Sequence, residues 1–355
     1  MNMRLLIIPI ILSTTCVERP IKIGVVADLS GSGRDLGWSI VRGVELAVDE
    51  YNEHAIAPKI LLLVRDDRGD SARAVAMARD LTKRGVIGVI GHMNSHCSIA
   101  AAPIYHKSRI PMITPSSTAP ELTQLGYDNV FRLCGRDDLQ GKIAGYFVKE
   151  HLKSKRILIL ADRSIYAQGL ANAFESEMEN RVVGRVDFET GHPPLEKLKA
   201  MLPLKLPDLV YFAGLYKDGA EILRLIPKKI DFLAGDGIAT QEFLKLTGGR
   251  AEGVYFTFGP PIHQLGSAVH FLRIAHEKRI QVEPYTCNAY DATNLLIDAY
   301  FRAKGKDLSS FIHHNKFDGS IGMIQFDKNG DLLGSPFMIW MVKGGGFIPW
   351  SKKID

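Results

Sequence analysis

The chain lacks most of the features that mark specialised proteins. It holds 4 cysteines in 355 residues, Cys16, Cys97, Cys134 and Cys287, and no two stand at metal-ligand spacing. A disulfide scaffold or structural metal is therefore not expected to hold the fold. The apolar run Leu5 to Leu12 is too short to span a bilayer as a mature helix, and no later run is long and apolar enough. The net charge of +5 is small and spread along the chain. No basic run alternates with aromatics, so nucleic acid is not an expected partner. There is no G-x-S-x-G, the usual setting of a hydrolase serine.

What is present is a long α/β pattern. At 355 residues the chain exceeds one ordinary core, and two domains are expected. Met1-Asn2-Met3-Arg4, the apolar Leu5 to Leu12, the small polar Ser13-Thr14-Thr15 and then Cys16 read as an export signal. Cys16 at its end points to lipidation, although Ser13 and Thr15 depart from the usual lipoprotein box. The alternative for this segment is a first strand or a frayed terminus of a cytosolic protein.

From Ile21 the period is strand, helix, strand. Expected strands are Ile21–Ala27, Ile60–Val64, Val86–Ile90 and Pro111–Ile113, with helices over Trp38–Tyr51 and Ile99–His106 and, between them, one capped by Ser71 and ending near Lys83. This order implies right-handed crossovers and a parallel sheet. Near Phe131 to Asp138 the first run ends and a second of the same build begins. Its expected strands are Arg156–Ala161, Val182–Phe188, Leu209–Phe212, Ile230–Ala234 and Gly253–Phe258. Gly259-Pro260-Pro261 then breaks the run, as a crossing between lobes would. Helices over His270–Lys278 and Tyr290–Ala303 follow, and Ile321–Phe326 with Phe337–Val342 read as a terminal hairpin-like pair.

The stretch Gly91 to Leu122 is the centre of interest. It carries two hydroxyl-rich turns, Asn94-Ser95-His96 and Ser116-Ser117-Thr118, each before a helix. Open parallel sheets bind ligands at such carboxyl-end turns, and free N–H groups at helix starts favour an anion. The same residues also serve as ordinary helix caps. Other motifs are weaker. Gly31-Ser32-Gly33-Arg34-Asp35-Leu36-Gly37 misplaces the third glycine of a dinucleotide loop, and a flexible cleft-edge loop is the better reading. Asp327-Lys328-Asn329-Gly330-Asp331 lacks the rest of a calcium loop and reads as an Asn-Gly turn. His92 and His96 flank Ser95, but no carboxylate is evident to orient a Ser-His pair. Neither catalysis, a metal nor a cofactor is expected. Asp236 follows a strand of the second half. It is either a turn cap or a counter-charge in a cleft, where a buried ammonium would need one.

At these residues the chain resembles the branched-chain amino-acid-binding proteins, the solute receptors of ABC importers. The resemblance runs from Ile21 to Trp350. It is most specific in Val89-Ile90-Gly91-His92 through Ile113-Thr114-Pro115-Ser116-Ser117-Thr118-Ala119-Pro120-Glu121-Leu122. Tyr166-Ala167-Gln168-Gly169 and Phe326-Asp327-Lys328-Asn329-Gly330-Asp331 match as well. It implies two doubly wound parallel-sheet lobes joined by three hinge crossings. The expected segments are a signal over 1–19, the first lobe over 20–136 and 263–334, and the second over 137–262 and 335–355.

The resemblance also implies roles. Ser95, with the Thr118 N–H, would hold a ligand carboxylate, and the Ser116 carbonyl and Thr118 hydroxyl would face its ammonium. Asp236 would oppose that charge from the other lobe. Tyr166, Tyr290 and Tyr216 (or Leu215, by a one-residue shift) would line the cleft, and Leu36 stands where relatives carry an aromatic. A cysteine pair of well-known members falls on Gly69 and Asn94 and is absent. The implied protein is an exported, monomeric receptor for an amino acid, branched-chain or otherwise aliphatic, that works with a membrane permease. The alternatives are a receptor of this fold for an amide, urea or aromatic acid, or a cytosolic sensor or enzyme.

Overall fold

The computed structural model describes residues 19–56, 58–334 and 337–351. The expected signal up to residue 18, with Cys16, lies outside the described residues, as do positions 335–336 at the start of the last expected segment.

The first sheet grows from strand–helix alternation. β1 (Ile21–Ala27) lies between β2 (Ile60–Asp66) and β3 (Gly88–Gly91). β4 (Met112–Thr114) and β5 (Val130–Arg132) extend it, all parallel, in the order β2-β1-β3-β4-β5. β1 is buried along its whole length except at Lys22, as a parallel strand covered on both faces requires. The second sheet holds β6 (Ile157–Asp162), β7 (Val182–Phe188), β8 (Leu209–Ala213), β9 (Asp231–Ala234) and β10 (Tyr255–Phe258), again parallel. The chain then returns to the first lobe. Helix Thr286–Ala303 packs on helix Arg34–His54 so closely that a Cβ on Gly43 would sit 2.1 Å from the Thr286 carbonyl oxygen.

β11 (Phe317–Gly319) and β12 (Gly322–Ile324) form a small ladder of their own. β13 (Met338–Lys343) crosses back and pairs antiparallel with β10, and β14 (Gly346–Pro349) closes the edge. The expected pairing of 321–326 with 337–342 does not occur. The Asn-Gly turn brings Leu332 back only as far as a bridge with Phe326. It sets Asp331 beside Arg132, and the residues beyond carry Ile339, Trp340 and Val342 into the second lobe's core. The chain thus passes between the sheets three times, after β5, after β10 and after β12. Among the described residues no helix is long and apolar enough to cross a membrane.

Two motifs resolve locally. The Gly31 and Gly33 N–H groups that a phosphate would need are taken by Asp28, at 2.5 and 2.8 Å. Asp327 accepts from the Asn329 and Asp331 N–H groups at 2.8 and 3.0 Å, which makes it a turn residue.

Arg132 fixes the exit of the first sheet. Its side chain is 0% exposed and bonds Asp331 at 2.6 Å, Thr123 at 2.7 Å, and the Ser117 and Ala119 carbonyls at 2.9 and 3.0 Å. Burial alone would raise the Asp331 carboxyl, but Arg132, helped by Arg136 and Thr123, holds it below its ordinary value. Removing Arg132 leaves the buried Asp331 carboxylate with only Arg136, at 2.8 Å, as a cation, and takes the donor from the Ser117 and Ala119 carbonyls. Arg132→Met is therefore expected to lower unfolding stability by about 3–5 kcal/mol in urea denaturation, and to free the 117–119 turn.

Candidate functional site

The carboxyl ends of the two sheets face each other across a cavity of about 370 Å³. That volume lies in the range of small-molecule sites. The first lobe contributes Leu36, Met93, Asn94, Ser95, His96 and Ser116. The second contributes Asp162, Tyr166, Leu215 and Asp236, and Tyr285 stands at the second crossing.

On the first-lobe wall, helix Ser95–Lys107 begins directly at the cavity, and no side chain caps it. Its first-turn N–H groups thus carry the partial positive charge of an uncapped helix start. The Ser95 hydroxyl accepts from the Ala119 N–H at 3.3 Å, tying this helix to the second hydroxyl turn. The Ser116 hydroxyl donates to the Met93 carbonyl at 3.0 Å. An orienting carboxylate, not evident from sequence, does exist beside His92: Asp67, at 2.6 Å from Nδ1. The other ring nitrogen faces Tyr105, and His96 bonds the Gly69 carbonyl, so neither histidine pairs with Ser95.

On the second-lobe wall, Asp236 opens a short 3-10 turn after β9 and is 3% exposed. Its Oδ1 accepts from Gln140 at 2.9 Å and Tyr166 at 2.8 Å, and its Oδ2 from Tyr285 at 2.7 Å. All three donors are neutral, and no Lys, Arg or His pairs with it among the described residues. Gly237 is required beside it, because a Cβ there would lie 2.3 Å from the Gly214 carbonyl oxygen.

Of the expected residues, Leu36, Ser95, Ser116, Tyr166 and Asp236 line the cavity. Thr118 stands behind the wall: it is buried, and its hydroxyl lies beside the Asp137 carboxyl without a well-formed hydrogen bond. The structure places two residues elsewhere. Leu215 faces the cavity as the extended cap of the next helix, whereas Tyr216 is its first helical residue and donates to Asp35 of the other lobe. Tyr290 bonds Glu50 at 2.5 Å and lines a separate groove. Its helix starts at Thr286, a full turn before the expected start, so Tyr285 holds the cleft position. Five residues on, Tyr290 has rotated about 140° round the axis. Tyr285 carried a signal in the sequence, since Thr286 is a start residue; its hydroxyl accepts from the Glu283 N–H at 3.1 Å. Gln140 and Asp137 were also missed. They are polar residues on the otherwise apolar buried face of helix Asp137–Phe147.

Two α/β lobes with a ligand-sized cleft between their strand ends define an interlobe solute-binding shell. The chain belongs to the periplasmic binding protein family, whose model it matches over residues 20–346. It is 31% identical over 337 residues to Leu/Ile/Val-binding protein homolog 2 of Brucella abortus, covering 92% of this chain and 91% of that protein. The fold matches that of a leucine-binding protein, LivK, of Thermotoga maritima with a TM-score of 0.86 at 28% identity, over 93% of this chain and 98% of that one. It also matches the branched-chain amino-acid transporter substrate-binding protein LivJ of Streptococcus pneumoniae, solved with isoleucine, at a TM-score of 0.84 and 26% identity. That match covers 93% of this chain and 100% of the other.

Asp137 is fully buried within reach of the Asp236 charge, and among the described residues no cation forms an ion pair with it, Arg132 acting on it only through space. Burial, and after it the charge of Asp236, push its carboxyl well above the usual carboxylate range. A raised folded value means that the group stabilises the fold at low pH, and that this contribution is lost as pH rises through the raised value. Asp137→Asn is therefore expected to melt at or above wild type at high pH, with a gap that closes on acidification. Thermal melts across pH check this.

Proposed function

We propose that the chain is the extracytoplasmic solute-binding subunit of an ABC importer and that its ligand is a free amino acid. One observation carries this reading: Asp236 is buried in the cleft wall, is held by three neutral donors, and among the described residues pairs with no cation. A ligand ammonium supplies that charge. The Ser95 hydroxyl, the uncapped start of its helix and the Thr118 N–H take the carboxylate. Ser116 and Tyr166 complete the head-group contacts, and Leu36, Met93 and Leu215 offer apolar surface to a side chain. An aliphatic amino acid fits this wall, and the Leu/Ile/Val-binding relatives support it. An amide, urea or aromatic acid would leave Asp236 without a counter-charge.

The mechanism is hinge closure. Each lobe holds one end of the ligand, so the ligand stabilises the closed state by contacts that the open state cannot make. The closed monomer then docks on a membrane permease. Export, with lipid attachment at Cys16, belongs to the same proposal, and no catalytic step is part of it.

Isothermal titration against the twenty standard amino acids is expected to show saturable binding of at least one aliphatic member; binding of none of the twenty would overturn the reading. With the bound amino acid, Ser95→Ala is expected to weaken affinity by about 1–3 kcal/mol and Asp236→Ala by about 2–5 kcal/mol. Thr118→Ala, whose hydroxyl lies behind the cavity wall, shifts it less.

A further inference from the structure

Beneath the hydroxyl turns lies a buried polar network whose anchors, Asp67, His92 and Tyr105, line no part of the cavity. The His92 and Asp67 side chains are both 0% exposed. His92 Nδ1 lies 2.6 Å from Asp67 Oδ2, and Nε2 lies 3.2 Å from the Tyr105 hydroxyl, so the ring is held at both nitrogens. The His92 carbonyl accepts three hydroxyls, from Thr114 at 2.8 Å, Ser117 at 3.1 Å and Ser98 at 3.2 Å. The next carbonyl, that of Met93, accepts the Ser116 and Ser117 hydroxyls at 3.0 and 3.1 Å. The turn at 116–117 therefore hangs from two successive carbonyls whose place is set by one buried ring.

The same acid reaches the other side of Ser95. Asp67 Oδ1 accepts from the Gly69 N–H at 3.0 Å, and the Gly69 carbonyl accepts from His96 Nε2 at 2.8 Å. His96 directly follows Ser95. Asp67 thus braces both histidines of the Ser95 turn, one through its ring and one through Gly69. Stability alone does not explain such a pair, because apolar residues of similar volume commonly stabilise a core as well as a buried ion pair does. What the pair adds is a fixed orientation, and the backbone it fixes carries the Ser95 and Thr118 groups.

We propose that Asp67 and His92 are positioning residues that hold the two hydroxyl turns in register for the anionic end of the ligand. This rests on the amino-acid reading above and deepens it. No member of the network bonds Asp236, Tyr166 or Gln140, so it acts on the first-lobe half of the head-group site and leaves the support of the second-lobe acid untouched.

The test compares one amino acid with its α-carboxamide, which keeps the ammonium and removes the negative charge. The probes are L-leucine and L-leucinamide, or the tightest-binding standard amino acid and its amide. Wild type is expected to prefer the acid. In Asp67→Asn and His92→Gln the affinity for the acid is expected to fall about tenfold, and that for the amide by clearly less, about threefold at most. Tyr105→Phe, a milder change outside the pair, is expected to move the same ratio in the same direction by less. A purely structural role would lower the melting temperature and weaken both probes equally. An unchanged acid-to-amide ratio in the folded members of this set overturns the proposal. A wild type that binds no amino acid overturns the amino-acid reading instead.

Discussion

A carboxylate withdrawn from water needs either a cation or enough donors to replace its solvation, and neutral donors replace it only in part. Asp236 has the donors without the cation. Gln140, Tyr166 and Tyr285 converge on its two oxygens from a helix, a second helix start and the second interlobe crossing. This arrangement keeps the acid in one orientation and aims its unbalanced charge at the cleft. Much of the second lobe near the site can be understood as support for it. Gly235 and Gly237 leave room for the Tyr166 hydroxyl, and Thr257 steadies the Gln140 amide at 2.8 Å.

The first lobe solves the opposite problem. An anion site made of hydroxyls and N–H groups is weak unless those dipoles are fixed before the ligand arrives. Here they are fixed from below by the His92 and Met93 carbonyls and from the side by Arg132, which binds the Ser117 and Ala119 carbonyls. Arg132 is in turn held by Asp331, which arrives from the third crossing. The carboxylate-facing turn is therefore braced by the same contact that closes the fold of the first lobe. Across the cleft mouth, Tyr216 and Lys217 reach Asp35 and the Gly31 carbonyl, so the lobes touch outside the cavity as well as around it.

The alternation of strands and helices was legible because parallel strands buried on both faces read as unbroken apolar runs. Ile21–Ala27 and Val182–Phe188 match residue for residue, whereas the cap of the second helix is Asp70, one residue before Ser71. Helix starts were less legible. The helices beginning at Ser95, Ile165, Tyr216 and Thr286 each start three or four residues before their apolar periodicity does. The residues that open them, Asn94 to His96, Ser164 to Tyr166, Leu215 and Tyr285, line a polar cleft, so hydrophobic spacing carries little record of where they start. That offset misplaced Tyr290 and hid Tyr285. Ser95, Ser116, Tyr166 and Asp236 were placed by family resemblance. The supporting Asp67–His92 and Arg132–Asp331 pairs join residues 25 and 199 positions apart, contacts that no local pattern announces.

The central claim is that the cleft is built around an ammonium opposite Asp236. The most direct measurement is calorimetric titration of a bound amino acid beside its des-amino analogue, for leucine 4-methylpentanoate, which keeps the carboxylate and the side chain. The account predicts that removing the ammonium abolishes detectable binding. Comparable affinities for the two would contradict it.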